Sequence, residues 1–439
     1  MPARVPTTRA QASTAYLGAL VALLVLYAIE LLFRIARLHN KFAPSGHTHD
    51  AAYLAAIIAV GILETIALFA LANSVRSTGA SIPWAIAAFA VMVSLSLLSP
   101  DTEVIGSPDA YAYVGYAKLP ALRQAYAPPP YSFSGGFDVI NKSWGNPIVP
   151  SDYGPLWLLY DRLTLHRTAT MEQALLVMRA FNIVFLIALV AALRRLRMPN
   201  CVLVLVALNP MLWYYYVVEA HNDIGAILLV VIGMLVARKN AWLGAVVAGA
   251  AGLIKIPFAL IASAAMGRRN VFLSLSQTAV IVALTIAGSS LFGGFHYLNS
   301  VIGTGQWMVF QGGDIAALGA RREVYVVGLV AHACVALIAA GAFIASQSGS
   351  FIASAIYSFS GVAPTLYPHY LGWCIPYALR MPKVATPFFA ALPAVSHWIV
   401  YPAGSFGVLA DLYFVAIIAV FARHLWLTKS ARRRELPVL

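Results

Sequence analysis

The sequence predicts an all-α, polytopic integral membrane protein, and three observations carry the prediction. Of 439 residues, 61% are hydrophobic and only 10% charged, whereas soluble domains run near half apolar and a quarter charged. The mean hydropathy is +0.80. Apolar runs of about 20 residues recur along the chain, each long enough to cross a bilayer as a helix. This composition excludes a secreted soluble enzyme and a disordered scaffold. It also excludes a nucleic-acid partner despite 29 basic against 16 acidic residues, because in a membrane chain Lys and Arg first report orientation. Cys201, Cys334 and Cys374 lie in apolar stretches without CxxC spacing, so neither a disulfide framework nor a zinc site is supported.

The first apolar run, 15–35, is too long for a signal-peptide core and precedes no small-residue cleavage site; it is expected to be a retained first span. Further spans are expected at 51–73, 83–99, 176–193, 201–218, 223–237, 271–292, 323–345, 351–366, 368–380, 385–401 and 405–426. With the ambiguous segment 241–266 this makes about 11–13 transmembrane helices, read as one transmembrane domain over 1–439.

Orientation follows from the basic clusters: Arg194, Arg195 and Arg197; Arg238 and Lys239; Arg268 and Arg269; Arg380 and Lys383; and Lys429 with Arg432, Arg433 and Arg434. All are assigned inside. The long polar segment 100–175, after the third span, then falls outside, together with the His221 region and loop 293–320. Arg34, Arg37 and Lys41 run against the rule on the outer side of the first span. One further conflict stands out: Arg238/Lys239 and Arg268/Arg269 are both assigned inside with a single apolar segment between them. Either a span is miscounted or a broken or re-entrant helix breaks at Lys255-Ile256-Pro257, as is tolerated where backbone lines a protein cavity.

Segment 100–175 is too long for a plain connection, and is expected to be an outer catalytic loop with interfacial helices. It carries Asp101, Glu103, Asp109, Asp138, Asp152 and Asp161. After Ser107-Pro108 a helix start is favoured, which places Asp109, Tyr113 and Tyr116 on one face. These three either line a site or form a capped interfacial helix with an aromatic belt. Trp144 and the run Ser151-Asp152-Tyr153-Gly154-Pro155 lead back to the membrane. Asn209-Pro210 precedes Glu219-Ala220-His221-Asn222-Asp223, polar residues at a helix boundary that serve either as caps or as a site. Lys255 lies mid-way along an apolar segment, where a charge is costly unless paired, hydrated or snorkelling. Tyr367-Pro368-His369-Tyr370, with Trp373, places an imidazole among aromatic rings. No internal repeat and no glycine-rich phosphate loop accompanies them, which weighs against a transporter built on inverted repeats.

The order of these motifs resembles the GT-C superfamily of membrane glycosyltransferases. The order is Asp-x3-Tyr, Trp, Tyr-Gly-Pro-Leu, Asn-Pro before His-Asn-Asp, an intramembrane Lys-x-Pro, then Pro-His-Tyr-x3-Trp. The resemblance covers most of 100–380 and is closest to the bacterial polyprenyl-phosphate-mannose-dependent mannosyltransferases that elongate mannan chains. It implies a GT-C-like fold in the cell membrane with its active site outside. It also implies transfer of a sugar, mannose by likeness, from a polyprenyl-phosphate donor to a glycan or glycolipid acceptor. Asp109 would be the general base of an inverting displacement. His221, Lys255 and His369 would bind the donor phosphate, with Arg321 and Arg322 as further candidates. Tyr113, Trp144, Tyr153, Asn222, Asp223, Tyr370 and Trp373 would meet sugar or acceptor. No metal ligand set and no definite cofactor is assigned; a divalent cation is an option at Asn222/Asp223. The alternative is a transporter or flippase for a lipid or sugar.

Overall fold

A computed structural model describes residues 9–41, 51–78, 82–98, 109–266, 271–292, 350–360 and 368–400, with a few single residues between 297 and 346. Among the described residues there is no strand. Three long helices open the chain: α1 (Arg9–Lys41), α2 (Ala51–Thr78) and α3 (Ile82–Leu98). Short helices α4 (Asp109–Lys118), α5 (Asp138–Trp144) and α6 (Pro155–Leu165) follow. Next come α7 (Met171–Arg195), α8 (Asn200–Ala207) and the single turn α9 (Pro210–Leu212), which runs into a π-helical stretch Trp213–Val218. Helices α10 (Asp223–Val236), α11 (Ala241–Gly249), α12 (Pro257–Met266) and α13 (Val271–Phe292) form the next group. The last described elements are α14 (Phe351–Ser360), a 3-10 segment Pro368–Tyr377 and α15 (Pro382–Val400).

Four of these helices are long and apolar enough to cross a membrane: Ser13–Ile35, Ala55–Arg76, Met171–Arg195 and Phe272–Leu291. Asn200–Ala207 and Pro210–Val218 make a fifth if the pair, bent by 43°, is one span. Leu17, Val21, Val25 and Leu32 on α1, and Phe272 and Leu291 on α13, expose apolar side chains. In a bilayer such faces meet lipid, and helices associate through close packing. Gly233 on α10 shows this, because a Cβ there would come within 2.6 Å of the Ala248 Cβ on α11.

Several sequence expectations need correction. Run 368–380 is not a spanning helix: it is a 3-10 segment of ten residues interrupted by Pro376, and proline cannot continue an α-helical ladder. Segment 223–237 is a helix of 14 residues, shorter than a straight span requires. The spans expected at 405–426 and, apart from isolated residues, at 323–345 lie outside the described residues. Arg34 is no loop charge. It is buried on α1, where it donates to Glu30 at 2.9 and 2.6 Å and lies 3.5 Å over the ring of Tyr214.

Segment 241–266 is two short helices either side of a 3-10 turn, Ala250–Leu253. Asn240 caps α11, accepting from the N–H groups of Trp242 and Leu243, and Pro257 opens α12 with the fixed φ that suits a first helical position. Lys255 stands in the gap between the helices. The loop before α6 docks here: Gly154 N–H donates to the Ile254 carbonyl at 2.7 Å. A side chain at Gly154 would collide with the Leu253 backbone, so only glycine allows this approach.

Candidate active site

Several chain segments converge on one buried cluster. Helix α4 contributes Asp109 as its first residue, where a carboxylate suits the positive end of the helix dipole. The reversal between the π-helical stretch and α10 contributes Glu219, His221 and Asp223. Single extra turns of π-helix recur at functional sites because they re-aim the side chains that follow. Ala220 is held at φ +58° in full burial, a left-handed conformation that costs a non-glycine residue roughly 1–3 kcal/mol. It turns the chain so that Glu219 and His221 face the same interior. Asn182 on α7 secures the reversal, its amide donating to the carbonyls of Tyr216 and His221 at 2.6 and 3.1 Å. Arg179 donates to Val218 at 2.9 Å.

His221 is fully buried and sits among acids. Its Nδ1 lies 3.5 Å from Asp109 Oδ2 and 4.0 Å from Asp223 Oδ2, and its Nε2 lies 3.2 Å from Glu219 Oε2. Burial opposes charge on the ring, but the hydrogen bond it donates to Glu219 and the charges of Asp109, Glu219 and Asp223 prevail and hold its pKa above the ordinary histidine value. The His369 ring stacks on it at 3.9 Å and 20°. Burial, then the neighbouring His221 and Lys255 charges, hold His369 well below the ordinary value. The surroundings therefore push the two stacked rings in opposite directions, His221 toward the charged form and His369 toward the neutral one, which disfavours two like charges in contact.

Lys255 completes the cluster from the broken helix. Its ammonium lies 3.7 Å from Asp223 Oδ1, within 5.0 Å of the Tyr370 ring centre and 5.8 Å of those of Tyr153 and Trp373. Carboxylate and aromatic faces together stabilise a cation removed from bulk water. Trp373 Nε1 donates to the same Asp223 oxygen at 2.7 Å. Tyr216 OH donates to the His369 carbonyl at 2.7 Å, locking the last segment to the π-helical stretch.

Most of the residues singled out in the sequence are thus brought together: Asp109, His221, Asp223, Lys255, His369, Tyr370, Trp373 and Tyr153. Tyr113 packs edge-on to Tyr153 and Trp157, with ring centres 4.7 and 5.5 Å away. Asn222 is buried beside them, and neither amide atom has a hydrogen-bond partner among the described residues. Trp144 ends α5 half-buried against the apolar core. Arg321 and Arg322 lie outside the described residues.

Two acids were not assigned to the site from sequence. Glu219 is 1% exposed and bonded to His221; its position two residues before His221 was the available signal. Asp152 is half-buried, and burial pushes its carboxyl up to about 6, with Lys255 opposing and Asp109 and Asp223 adding repulsion. Its signal was adjacency to Tyr153. Asp109, with a side chain 18% exposed, is the most open acid bonded into the cluster.

The cluster is a poor cation cage. Asp223, His221 and His369 offer ligand atoms within 4.8 Å of one another. However, the Lys255 ammonium lies 3.7 Å from Asp223 and repels a second cation there. Asp223 is already engaged by Lys255 and Trp373.

A family model described as "alpha-(1->6)-mannopyranosyltransferase, N-terminal domain" matches residues 16–269. No curated protein matches the chain, and neither does any solved structure. The match spans more than half of the sequence and takes in Asp109, His221, Asp223 and Lys255: the chain belongs to this family of mannosyltransferases.

Proposed function

We propose that the chain transfers mannose from a polyprenyl-phosphate donor to a hydroxyl of a glycan or glycolipid acceptor, at the outer face of a bacterial cell membrane. Segment 100–175 is read as the outer loop that delivers Asp109 to a single transmembrane domain. The observation that carries the proposal is Asp109 itself, an open carboxylate beside a buried imidazole in a mannosyltransferase family.

In this reading Asp109 takes the acceptor hydroxyl proton as the oxygen attacks the anomeric carbon, and the bond to the phosphate breaks on the opposite face. General base catalysis of this kind contributes about 10²–10⁴-fold. One carboxylate suffices, because the phosphate departs as an anion and needs no second carboxyl group to protonate it. Lys255 and His221 are assigned to the departing phosphate as positive charge that stabilises what develops in the transition state, with His369 as a hydrogen-bonding neighbour. The described cluster carries more carboxylates (Asp109, Asp152, Glu219, Asp223) than cations. A phosphate therefore needs further positive charge, and Arg321 and Arg322 are the assigned source. Tyr113, Tyr153, Tyr370 and Trp373 offer ring faces to the C–H side of a sugar, with Asn222 and Asp223 reading hydroxyls. Trp144 is assigned to the acceptor path outside this cluster. The family match favours this reading over a transporter.

Inversion fixes a stereochemical demand. If the product is the alpha linkage of the family description, the donor phosphate must be β-configured. Purified protein supplied with β- and α-configured polyprenyl-phosphate mannose, and with nucleotide-linked mannose, should form product from the β-lipid alone. Product from the α-lipid would refute the single displacement, and product from the nucleotide sugar would refute the lipid donor.

A further inference from the structure

We infer that Glu219 is a positioning residue that sets the charge and orientation of His221 against Asp109, so that the site works as an Asp109–His221–Glu219 chain. The inference rests on the transfer reading above, since it assigns Asp109 a proton to take.

The geometry is specific. Glu219 Oε2 is in hydrogen-bond contact with His221 Nε2 at 3.2 Å, while Asp109 Oδ2 lies 3.5 Å from Nδ1, close enough for an ion pair although Nδ1 makes no hydrogen bond among the described residues. An imidazole can serve two carboxylates at once only as imidazolium, the form in which both nitrogens donate. The ring has little freedom to turn: it is stacked on His369, its own backbone carbonyl accepts from Asn182, and Ala220 fixes the reversal beside it.

Among the described residues the other charged or titratable groups around the ring are Asp109 on α4, Tyr215 in the π-helical stretch with its ring centre 6.4 Å away, Asp223 on α10 and His369 in the 3-10 segment, and the Lys255 charge acts on His369. Arg34 of α1 bears on Glu219 rather than on the ring. Of all these, Glu219 makes the one short contact to Nε2, and it is 1% exposed, so water does not replace it. With Glu219 charged, the imidazolium keeps Asp109 ionised and aimed until the acceptor proton arrives. Without it, burial favours the neutral ring, whose Nδ1 can turn acceptor and repel the carboxylate it should orient.

The sign of the pH effect follows. A histidine held above its ordinary value is charged at low pH and loses its proton as pH rises through the raised value. Activity that needs the imidazolium therefore has an alkaline limb set by His221. Glu219→Gln removes the strongest support for the charge and moves that limb to lower pH, by about one unit or more. Glu219→Asp keeps the charge and should hold the limb near its wild-type position at reduced rate.

The experiment measures kcat/KM against pH for wild type, Glu219→Gln and Glu219→Asp with β-configured polyprenyl-phosphate mannose. In parallel, the imidazole titration of His221 is followed by NMR on histidine-labelled protein in nanodiscs, its signal assigned by loss in His221→Gln. A downward shift of limb and titration together in Glu219→Gln, rescued in Glu219→Asp, is the expected result. A uniform loss of rate with the limb and the titration unmoved would make Glu219 structural only and overturn the inference, as would an unchanged profile. The titration needs no donor, so it decides the matter even where wild type forms no product, which would be a failure of the transfer reading instead. Should Glu219→Gln not fold, the titration of Glu219→Asp decides alone: a ring titrating at the ordinary histidine value would overturn the inference.

Discussion

Arg34 and Lys255 are both cations embedded in apolar helices, and the same rule marks both as costly, yet the molecule treats them oppositely. Arg34 sits on unbroken α1, paired with Glu30 one turn earlier and covered by Tyr214, with 4% of its surface exposed. Lys255 sits where the helix stops, between Ala250–Leu253 and α12, reaching a carboxylate supplied from α10. A charge satisfied within its own helix leaves the helix regular and serves the fold. A charge satisfied by another element, across a break that also receives the docked Gly154 loop, serves a site.

Arg34→Met should give the larger effect, and on stability. Removing one partner of a buried pair leaves Glu30 uncompensated and costs about 3–5 kcal/mol. Thermal unfolding in detergent should show a marked drop. Lys255→Met should invert the pattern: kcat/KM for the lipid donor falls about 10²-fold, roughly 2.7 kcal/mol, with the fall mainly in kcat, and the unfolding temperature drops less than in Arg34→Met because the Trp373 N–H still donates to Asp223. Loss of stability without loss of transfer in Lys255→Met would erase the distinction. The smallest effect is expected from Arg34→Met combined with Glu30→Leu. With both charges gone, an apolar replacement can be nearly neutral, and the unfolding temperature should return close to that of wild type.

The contrast also explains what the sequence could and could not disclose. Long apolar periods such as Met171–Arg195 were legible, because length and composition alone decide them. So was the interruption at Lys255-Ile256-Pro257, from the orientation conflict and the proline together. Run 368–380 misled because it is apolar throughout; that Pro368 and Pro376 frame a 3-10 segment depends on packing against the π-helical stretch. Arg34 misled the orientation rule, which counts charges as loop charges, while its partner Glu30 lies within the apolar run. In the site, Asp109, His221 and Lys255 were legible as polar residues in costly places. Glu219 and Asp152 were not, because their roles depend on Ala220 and Gly154, small residues whose backbone geometry carries no compositional signal.

The central claim is that Asp109 removes the acceptor proton at a site otherwise built to hold the donor. Asp109→Asn conserves shape and should leave donor binding intact, so transfer and donor affinity measured side by side on purified protein decide it. The account predicts a fall in transfer of about 10²–10⁴-fold, with the dissociation constant for β-configured polyprenyl-phosphate mannose essentially unchanged. Transfer persisting near the wild-type rate would contradict it, and so would loss of donor binding in step with loss of transfer.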